Sequence, residues 1–469
     1  MVPLSRRLPI FVLLLLGLIS FDASAEGLRG TGSLSLGPMD RELGLNAGTF
    51  TILPYLRLGY GYNSNLFNND DTAFEQPVSA QYLQIAPGFK INSKNGQNVG
   101  IKLTAEANWD QYLSDNSRVE EQSNLGGVIS ASAVFFQNSP VSLILRDNFR
   151  RALEQRNYES TRDFNRTINK VGGGVLFKPG GGALEVKAMY DFASDFFTDV
   201  DADWGDLVVH DVTVTGTWKF FPFTAFVMDA NWQQRSYLAD NQGRYGELTD
   251  SAPLRIRVGV NGFITKKLSL LLLLGYGNSF HDKHKVAAGA TINPNENDSF
   301  NMAVGEARLS FKFSPTTILQ GGYRYDFADS LFSNYTEYHK VNVNLLQRIA
   351  GRVDLEVDFA YMYRIYAQLP KAYFEESTDP AASSALWGLL TGYDRTDMVL
   401  LGKVKATVDI TRFLAFEAIY ELELNNDPLQ SRDAIFGACI DAKCGSAAGI
   451  VDYVGYQRHV VFANLVLRY

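Results

Sequence analysis

The chain has 469 residues, of which 46% are hydrophobic and 13% aromatic, and a formal net charge of −8. The acidic balance offers no basic patch of the kind that nucleic-acid binding needs. After an apolar run near the N-terminus, the longest apolar stretch is Leu268 to Gly275, far below the roughly 20 residues of a membrane-spanning helix. Abundant glycine and aromatic residues without such a helix favour β structure.

The N-terminus has the pattern of a secretory signal peptide. Arg6 and Arg7 precede an apolar run from Leu8 to Phe21, and small residues follow at Ala23-Ser24-Ala25. We therefore expect residues 1–25 to be a signal peptide and the mature chain to begin at Glu26. A retained membrane anchor is the alternative, but an apolar core of about 14 residues is short for one. No cysteine lies near the site, which excludes a lipoprotein.

Strict alternation of apolar and polar residues dominates the rest of the chain. In 99–109, VGIKLTAEANW, the odd positions are apolar and the even positions are mostly polar. The same period of two recurs in 254–262, 353–364 and 402–409. An alternation of this kind predicts strands and not helices.

Eighteen candidate strands can be counted, centred near residues 56, 84, 105, 129, 146, 169, 188, 212, 230, 258, 273, 307, 322, 343, 359, 402, 420 and 462. Short connections lie at 92–98, 137–140, 178–182, 265–267, 314–316, 350–351 and 411–412. Long ones lie at 63–76, 113–121, 152–162, 197–206, 238–252, 281–298, 327–337, 369–395 and 426–452. Short and long connections alternate along the chain.

Tight turns at one end and long loops at the other are typical of bacterial outer-membrane barrels. A soluble β-sandwich also alternates, but it has no reason to alternate its connection lengths. We predict an all-β, transmembrane antiparallel β-barrel of about 18 strands over residues 49–469, in the outer membrane of a Gram-negative bacterium. Residues 26–48 are then an N-terminal periplasmic segment, and an even strand number places both chain ends in the periplasm.

The final strand supports closure. Val461, Ala463, Leu465 and Leu467 alternate up to the last residue, Tyr469. In a closed barrel the last strand pairs with the first, because lipid tolerates no unpaired backbone groups. The terminal aromatic residue also resembles the C-terminal recognition signal of outer-membrane barrels, with Tyr in place of the commoner Phe.

If the apolar face meets lipid, the polar face lines the lumen, and barrels of 16–18 strands are wide enough to leave an aqueous channel. The predicted lumen-lining residues are Lys102, Glu106, Asp110, Arg146, Glu185, Lys187, Arg255, Arg257, Glu306, Arg308, Arg324, Asp354, Glu356, Asp358, Lys403, Lys405, Glu417 and Glu421. For any single residue, pairing across strands is the simpler role than solute contact. The acidic residues of 354–358 and 417–423 suggest an acidic wall, and Arg255 with Arg257 suggest a basic one.

One predicted strand departs from the pattern. The stretch Leu268 to Gly275 is apolar on both faces. Its inner side must therefore pack against something apolar, such as residues 26–48 or an infolded loop, or the strand faces a partner. The sequence does not distinguish these alternatives.

No motif predicts catalysis, a metal site or a cofactor. Neither glycine triplet, 172–174 or 180–182, is followed by the Lys-Ser/Thr of a phosphate loop. Stretch 32–37, GSLSLG, matches the nucleophile elbow in neither spacing nor context. Cys439 and Cys444 fit one local disulfide in an oxidising compartment, with half of a metal site as the alternative. We expect no enzymatic activity.

Three short stretches carry a resemblance to a known family. GYNSNLFNNDD (Gly61 to Asp71) resembles the signature near the start of the putative β-barrel porin 2 family. YESTRDFNR (Tyr158 to Arg166) and FSPTTILQGGYRY (Phe313 to Tyr325) are also similar to that family. The layout looks especially close to myxobacterial polysaccharide-export barrels.

This resemblance implies an outer-membrane conduit for export of a surface polysaccharide in a flippase–polymerase pathway. Its partners would be outer-membrane lipid, the polysaccharide, a periplasmic polysaccharide export protein and an inner-membrane co-polymerase, with no nucleic acid. A general or solute-selective diffusion porin is the alternative, with 369–395 as a constricting loop. An outer-membrane enzyme or a structural surface protein is the third possibility.

Overall fold

The computed structural model of the protein describes residues 44–68, 76–94, 98–152, 165–198, 205–238, 249–282, 299–330, 334–367, 396–426 and 455–469. Within them the chain is almost entirely β structure in one continuous sheet. The exceptions are a short helix, α1 (Ser117–Glu120), and a 3-10 turn at Pro179–Gly181. No helix in the described part of the chain has the length and apolarity needed to cross a membrane.

The strands are β1 (Leu45–Ala47), β2 (Phe50–Asn63), β3 (Ala80–Ser93), β4 (Val99–Leu113), β5 (Asn124–Phe135), β6 (Val141–Ala152), β7 (Arg166–Phe177), β8 (Leu184–Phe197), β9 (Leu207–Phe221), β10 (Thr224–Tyr237), β11 (Leu254–Phe263), β12 (Leu268–Asn278), β13 (Asn301–Ser314), β14 (Thr317–Asp329), β15 (Tyr335–Ile349), β16 (Val353–Tyr366), β17 (Thr396–Asp409), β18 (Leu414–Asn426) and β19 (Tyr456–Arg468). The predicted strand centres all fall within β2 to β19.

These 18 strands form a closed barrel. Each pairs antiparallel with its neighbour in sequence, and β19 pairs with β2. The prediction of an 18-stranded antiparallel barrel is therefore confirmed. Closure leaves no free sheet edge, which is what a lipid environment requires of a spanning sheet.

The C-terminal residue is tied into this closure. The Tyr469 backbone N–H donates to the Pro54 carbonyl at 3.2 Å, and the Gly44 N–H donates to the Tyr469 carbonyl at 3.2 Å. The short strand β1 folds back onto β2 beside them. Both termini of the described barrel thus meet at one seam between β19 and β2.

Tight hairpins occupy the predicted short-connection end. Between β15 and β16, Ala350 and Gly351 have φ of 48° and 62°, and the Arg352 N–H donates to the Ile349 carbonyl at 3.1 Å. Positive φ at both central positions is the mark of a type I′ turn, whose twist matches that of paired strands.

The outward face is apolar. Its exposed side chains include Leu83, Ile85, Leu145, Leu274, Val341 and Leu465. Tyrosine hydroxyls bond to histidine Nδ1 on this face in the pairs Tyr190–His210, Tyr323–His339 and Tyr420–His459, at 2.7 to 2.8 Å. Aromatic groups with a polar tip are typical of the girdles of membrane barrels.

The apolar inner side of β12 has a packing partner in the wall itself. Leu271 and Leu273 are buried together with Val227 of β10. They meet across Gly259 of β11, where a Cβ would lie 1.8 Å from the Leu272 carbonyl oxygen. Among the described residues, the double-sided apolar strand therefore reflects an internal cluster across a glycine.

Candidate functional site in the barrel lumen

The structure places the predicted lumen-lining residues on the inward face of the barrel. Along each strand they occupy the positions that alternate with the exposed apolar side chains, and the strand pairing keeps this alternation from one strand to the next. Two of them, Lys102 of β4 and Lys187 of β8, lie nearer the short-turn ends of their strands. Contacts of the others are described below.

One group of contacts joins strands that are not neighbours. Glu106 of β4 forms an ion pair with Arg57 of β2 and accepts a hydrogen bond from the Tyr55 hydroxyl at 2.7 Å. On the intervening strand β3, Gly88 lies directly between Tyr55 and Glu106 in the ladder. A Cβ at Gly88 would lie 2.5 Å from the Tyr55 ring. The glycine therefore makes room for side chains that lie flat on the wall.

The same arrangement recurs on β6 to β8. Arg146 donates through Nε to Asp191 at 2.6 Å, and Gly172 of β7 lies between the two residues in the ladder. A Cβ at Gly172 would lie 1.9 Å from Asp191 Oδ1. Asp191 is 0% exposed. A charge buried this deeply requires a close counter-ion, and Arg146 supplies it.

The network continues round the wall through β7, β9 and β10. Lys170 Nζ lies 2.7 Å from Asp211 and 3.8 Å from Asp191. The Asn231 and Gln233 amides also donate to Asp211, at 2.6 and 3.3 Å. Each acidic group in this section is thus held by several donors along the wall.

The wall formed by β16, β17 and β18 carries more acidic than basic residues, with Asp354, Glu356, Asp358, Glu417, Glu421 and Glu423 against Lys403 and Lys405. Lys403 and Lys405 of β17 lie between the acidic residues of β16 and β18, and they pair with Glu421 at 2.7 Å and Glu417 at 2.6 Å. Arg348 pairs with Asp354 at 2.8 Å. The expected acidic wall is therefore neutralised only in part, by the two lysines of the intervening strand and by Arg348 of β15.

The expected basic wall is likewise neutralised. Arg257 donates to Asp229 at 2.5 Å, and Arg255 donates to Asp326 at 2.8 Å. Arg255 also stacks over the Phe327 ring, 3.8 Å from its centroid. In this section Arg308 bonds to Glu306 at 2.5 Å and Arg324 to Asp326 at 2.6 Å.

The remaining predicted residues have polar contacts of lesser strength. Asp110 accepts from the Gln84 and Asn108 amides, both at 2.8 Å. Asp358 accepts from Asn344 at 2.5 Å, and Glu185 lies 3.5 Å from Lys178. Glu356 lies opposite Lys405 in the ladder.

Several members of the network were not among the predicted residues. They are Arg57, Lys170, Asp211, Asp229, Asp326 and Arg458. Each occupies a polar position of an alternating strand, so the period of two already indicated its inward direction. The sequence alone did not indicate which residue of opposite charge each of them would pair with.

The signature stretch of the first loop closes the outer end of the β19–β2 seam. Ser64 Oγ accepts from the His459 N–H at 2.8 Å, and the Ser64 N–H donates to the His459 carbonyl at 2.9 Å. The Asn65 amide donates to the Gln457 carbonyl at 3.2 Å. Leu66 and Phe67 are buried against an inward cluster of Ala80, Tyr112 and Val119.

Aromatic side chains line the inner wall beside this seam. The Tyr82 ring stacks on Phe462 of β19 at 5.6 Å and contacts Tyr112 of β4 at 5.3 Å. Tyr55 lies on the same section, with Arg57 and Lys90 near its ring face at 5.8 and 6.0 Å. The inner surface of β19, β2, β3 and β4 therefore combines aromatic faces with charged groups.

The described residues contain no cluster of His, Cys, Asp and Glu that could hold a metal ion. The predicted disulfide between Cys439 and Cys444 lies outside the described residues. The predicted signal peptide, most of segment 26–48 and the whole candidate constricting loop 369–395 lie outside them too.

A closed 18-stranded barrel with an apolar outer face and a polar inner face defines a porin-like outer-membrane β-barrel. The chain belongs to the family described as "Putative beta-barrel porin 2", whose sequence profile matches residues 38–293, more than half of the chain. This confirms the family-level resemblance seen in the sequence.

Three solved outer-membrane structures to which this chain is similar are 10–11% identical to it. OpdK from Pseudomonas aeruginosa is 10% identical with a TM-score of 0.42, over 89% of this chain and 99% of that chain. A BenF-like porin from Pseudomonas fluorescens is 10% identical with a TM-score of 0.45, over 89% and 99%. OccAB3 from Acinetobacter baumannii is 11% identical with a TM-score of 0.43, over 89% and 99%. A search of curated proteins finds no match.

Proposed function

We propose that the barrel is a diffusion porin for small hydrophilic solutes, with a preference for uncharged, hydroxylated ones. The observation that carries this proposal is the lateral pairing of the lumen charges. Arg146 with Asp191, Lys403 with Glu421 and Arg257 with Asp229 all satisfy one another along the wall. These lateral pairs give a polar surface on which much of the charge is neutralised locally.

The physical consequence concerns both wetting and selectivity. Barrels of 16–18 strands have room for an aqueous channel, and a polar wall keeps that channel hydrated. A lumen lined by one sign of charge would raise the local concentration of oppositely charged solutes. Paired charges create much weaker fields, so sugars and other neutral solutes should pass without a strong electrostatic barrier.

The test uses the purified full-length mature protein in planar bilayers and liposomes. We expect stepwise conductance with weak preference between K⁺ and Cl⁻, and swelling of loaded liposomes in mono- and disaccharides faster than in charged solutes of similar size. Liposomes containing heat-denatured protein provide the control. Absence of conductance and swelling in correctly folded protein would refute the proposal.

Export of a surface polysaccharide is the second candidate. The sequence resemblance favours it, and the half-buried Tyr55 and Tyr82 add partly accessible aromatic groups to an inner wall in which Phe462 and Tyr112 are buried. In that case the barrel would act with a periplasmic export protein and an inner-membrane co-polymerase, as the sequence resemblance implies. The same surface also suits passage of short sugars, so it supports a carbohydrate solute under either candidate.

A clean in-frame deletion separates the two candidates when surface and periplasmic polysaccharide are measured separately. Normal surface polymer with reduced uptake of small sugars supports the porin. Loss of surface polymer with periplasmic accumulation, restored by the wild-type gene, supports export and overturns the porin as the main function.

A further inference from the structure

One charged side chain, that of Asp147 of β6, lies on the outward, lipid-facing side of the barrel. Asp147 of β6 shares its face with Leu145, which is 55% exposed, and Leu143. In the ladder it lies directly between Ala131 of β5 and Val171 of β7, and Val171 is 46% exposed. The alternation is unbroken on this strand, so the Asp147 carboxylate faces the membrane.

The position of Asp147 along the membrane normal makes a charge on its side chain energetically unfavourable. Val141 begins β6 at the short-turn end, and Asp147 follows six positions later. With a rise of about 3.3 Å per residue and a tilt of about 40°, that places it about 15 Å along the membrane normal. The apolar band of such barrels is about 25 Å tall. Asp147 therefore lies within the band, where a lipid-facing charge is destabilising.

The chain itself supplies no partner within the described residues. Asp147 Oδ1 is buried and has no hydrogen-bond partner. The preceding residue, Arg146, faces the lumen and bonds to Asp191. Arg151 shares the outward face but lies four positions further along and bonds to Asn124 at 3.3 Å. An ionisable residue in the membrane usually faces a partner and not lipid.

A second polar group lies beside Asp147. Asn169 of β7 is on the same outward face, one diagonal step away in the ladder, since Asp147 pairs with Val171 and Phe149 pairs with Asn169. Diagonal neighbours are about 7–8 Å apart. Asn169 Oδ1 is also buried without a hydrogen-bond partner. The patch therefore holds a carboxylate acceptor and an amide donor one diagonal step apart.

The surroundings of the pair are flat. Ala131 and Ala133 of β5 and Gly173 of β7 are the outward neighbours of Asp147 and Leu145 in the ladder. Small outward side chains let another protein surface approach closely inside a membrane, and polar groups then hydrogen-bond across the contact. A lipid chain can pack on the small residues, but it offers no hydrogen-bond donor or acceptor to Asp147 or Asn169.

We propose that the outward face of β5–β7 is a contact between copies of this chain, in which Asp147 of one copy pairs with Asn169 of the next. All copies insert in the same direction, so the symmetry axis runs along the membrane normal and groups at equal depth meet. Asp147 and Asn169 lie one diagonal step apart on this face, and together they make the patch self-complementary in the sense that a symmetric interface requires. No other partner is needed to supply the missing donor.

The proposal is tested on the full-length mature protein in detergent micelles and in native membranes. Native mass spectrometry gives the number of copies for the wild type, Asp147→Leu, Asn169→Leu and Asp147→Asn. Heat-modifiable gel mobility shows whether each variant is folded. We expect the wild type to be oligomeric, and both Leu variants to dissociate at protein concentrations about tenfold higher or more, given the worth of membrane hydrogen bonds. Asp147→Asn, which keeps a hydrogen-bonding side chain, should remain oligomeric.

Cysteine cross-linking in native membranes gives a second measurement that does not depend on altering the polar pair. In a Cys439→Ser/Cys444→Ser background, Leu145→Cys, on β6 beside the proposed axis, should form dimers with an oxidant. Val343→Cys, outward on β15 at the other side of the barrel, should not. A monomeric folded wild type, an oligomer unaffected by Asp147→Leu, or cross-links through Val343→Cys alone would each overturn the proposal.

Discussion

Arg146 and Asp147 are neighbours in sequence, yet they meet opposite environments. Arg146 faces the lumen and is bonded to the fully buried Asp191, whereas Asp147 faces the membrane and has an unpartnered Oδ1. The inner wall thus satisfies its charges within the chain, as at Arg57–Glu106 and Lys405–Glu417. The outer wall carries few polar groups and leaves this one to be satisfied from outside. A charge inside this barrel is therefore evidence for wall structure, and a charge outside it is evidence for a partner.

The largest expected effect comes from breaking an inner pair. Asp191→Ala leaves Arg146 without its buried counter-ion, which should destabilise the fold by about 3–5 kcal/mol. Urea unfolding in liposomes, followed by heat-modifiable mobility, measures the change. Glu185→Ala is the control, because its pair with Lys178 is 3.5 Å long and partly exposed, and it should cost less than about 1 kcal/mol. Equal losses in the two variants would contradict a structural role for the Asp191 pair.

Replacing Gly172, which lies between Arg146 and Asp191 in the ladder, should destabilise the fold less than removing Asp191 does. Gly172→Ala places a Cβ 1.9 Å from Asp191 Oδ1, so the carboxylate must move and stability should fall by about 1–3 kcal/mol. Gly321→Ala is the matched control, because its added Cβ meets nothing closer than 4.0 Å. The comparison uses the same unfolding measurement. If Gly172→Ala is as stable as Gly321→Ala, the flat packing of the pair across β7 is wrong.

Removing the outward charge of Asp147 should increase the stability of the isolated barrel, whereas removing an inner charge lowers it. In a bilayer at protein dilution high enough to separate copies, Asp147→Leu should stabilise the folded barrel by about 1–2 kcal/mol, because an outward carboxylate no longer meets lipid. Val171→Leu, on the same face, controls for added apolar surface. Destabilisation of the isolated Asp147→Leu barrel would show that the carboxylate has a partner inside its own chain.

The smallest expected effect is on ion selectivity. Glu417→Gln leaves Lys405 without its partner at 2.6 Å, so the lumen gains positive charge and Cl⁻ permeability over K⁺ should rise a few-fold at low salt. The reversal potential in a salt gradient measures this, and screening should remove most of the shift at about 1 M salt. Glu337→Gln on the outward face should leave it unchanged. A shift that persists undiminished at high salt would indicate altered pore shape instead of altered charge.

Much of the wall could be read from the sequence because a strand has a period of two. Alternation located the strand centres and assigned residues such as Arg146 and Glu421 to the inner face without any knowledge of neighbours. It also contained the exception: in the stretch LILRDNF, Arg146 and Asp147 are adjacent, so one of the two must face outward. The apolar inner side of β12 was visible in the same way, although Val227 as its partner was not.

The partners of these residues required the tertiary structure. Asp191 lies 45 positions from Arg146, and Asp326 lies 71 positions from Arg255. Whether such residues meet depends on strand register and on a gap in the intervening strand, as at Gly172. The expected acidic and basic walls are weakened for this reason: Lys403 and Lys405 of β17 pair with Glu421 and Glu417, while Asp229 and Asp326 pair with Arg257 and Arg255.

The sequence by itself determined the number of strands and which side chains face lipid or lumen, because both follow from a local repeat of two residues. It also indicated that the last strand pairs with the first, because lipid tolerates no unpaired backbone groups. The tertiary structure alone decided which charges neutralise each other, and which carboxylate is left facing the membrane without a partner. Pairing of that kind depends on the three-dimensional closure of strands that are far apart along the chain.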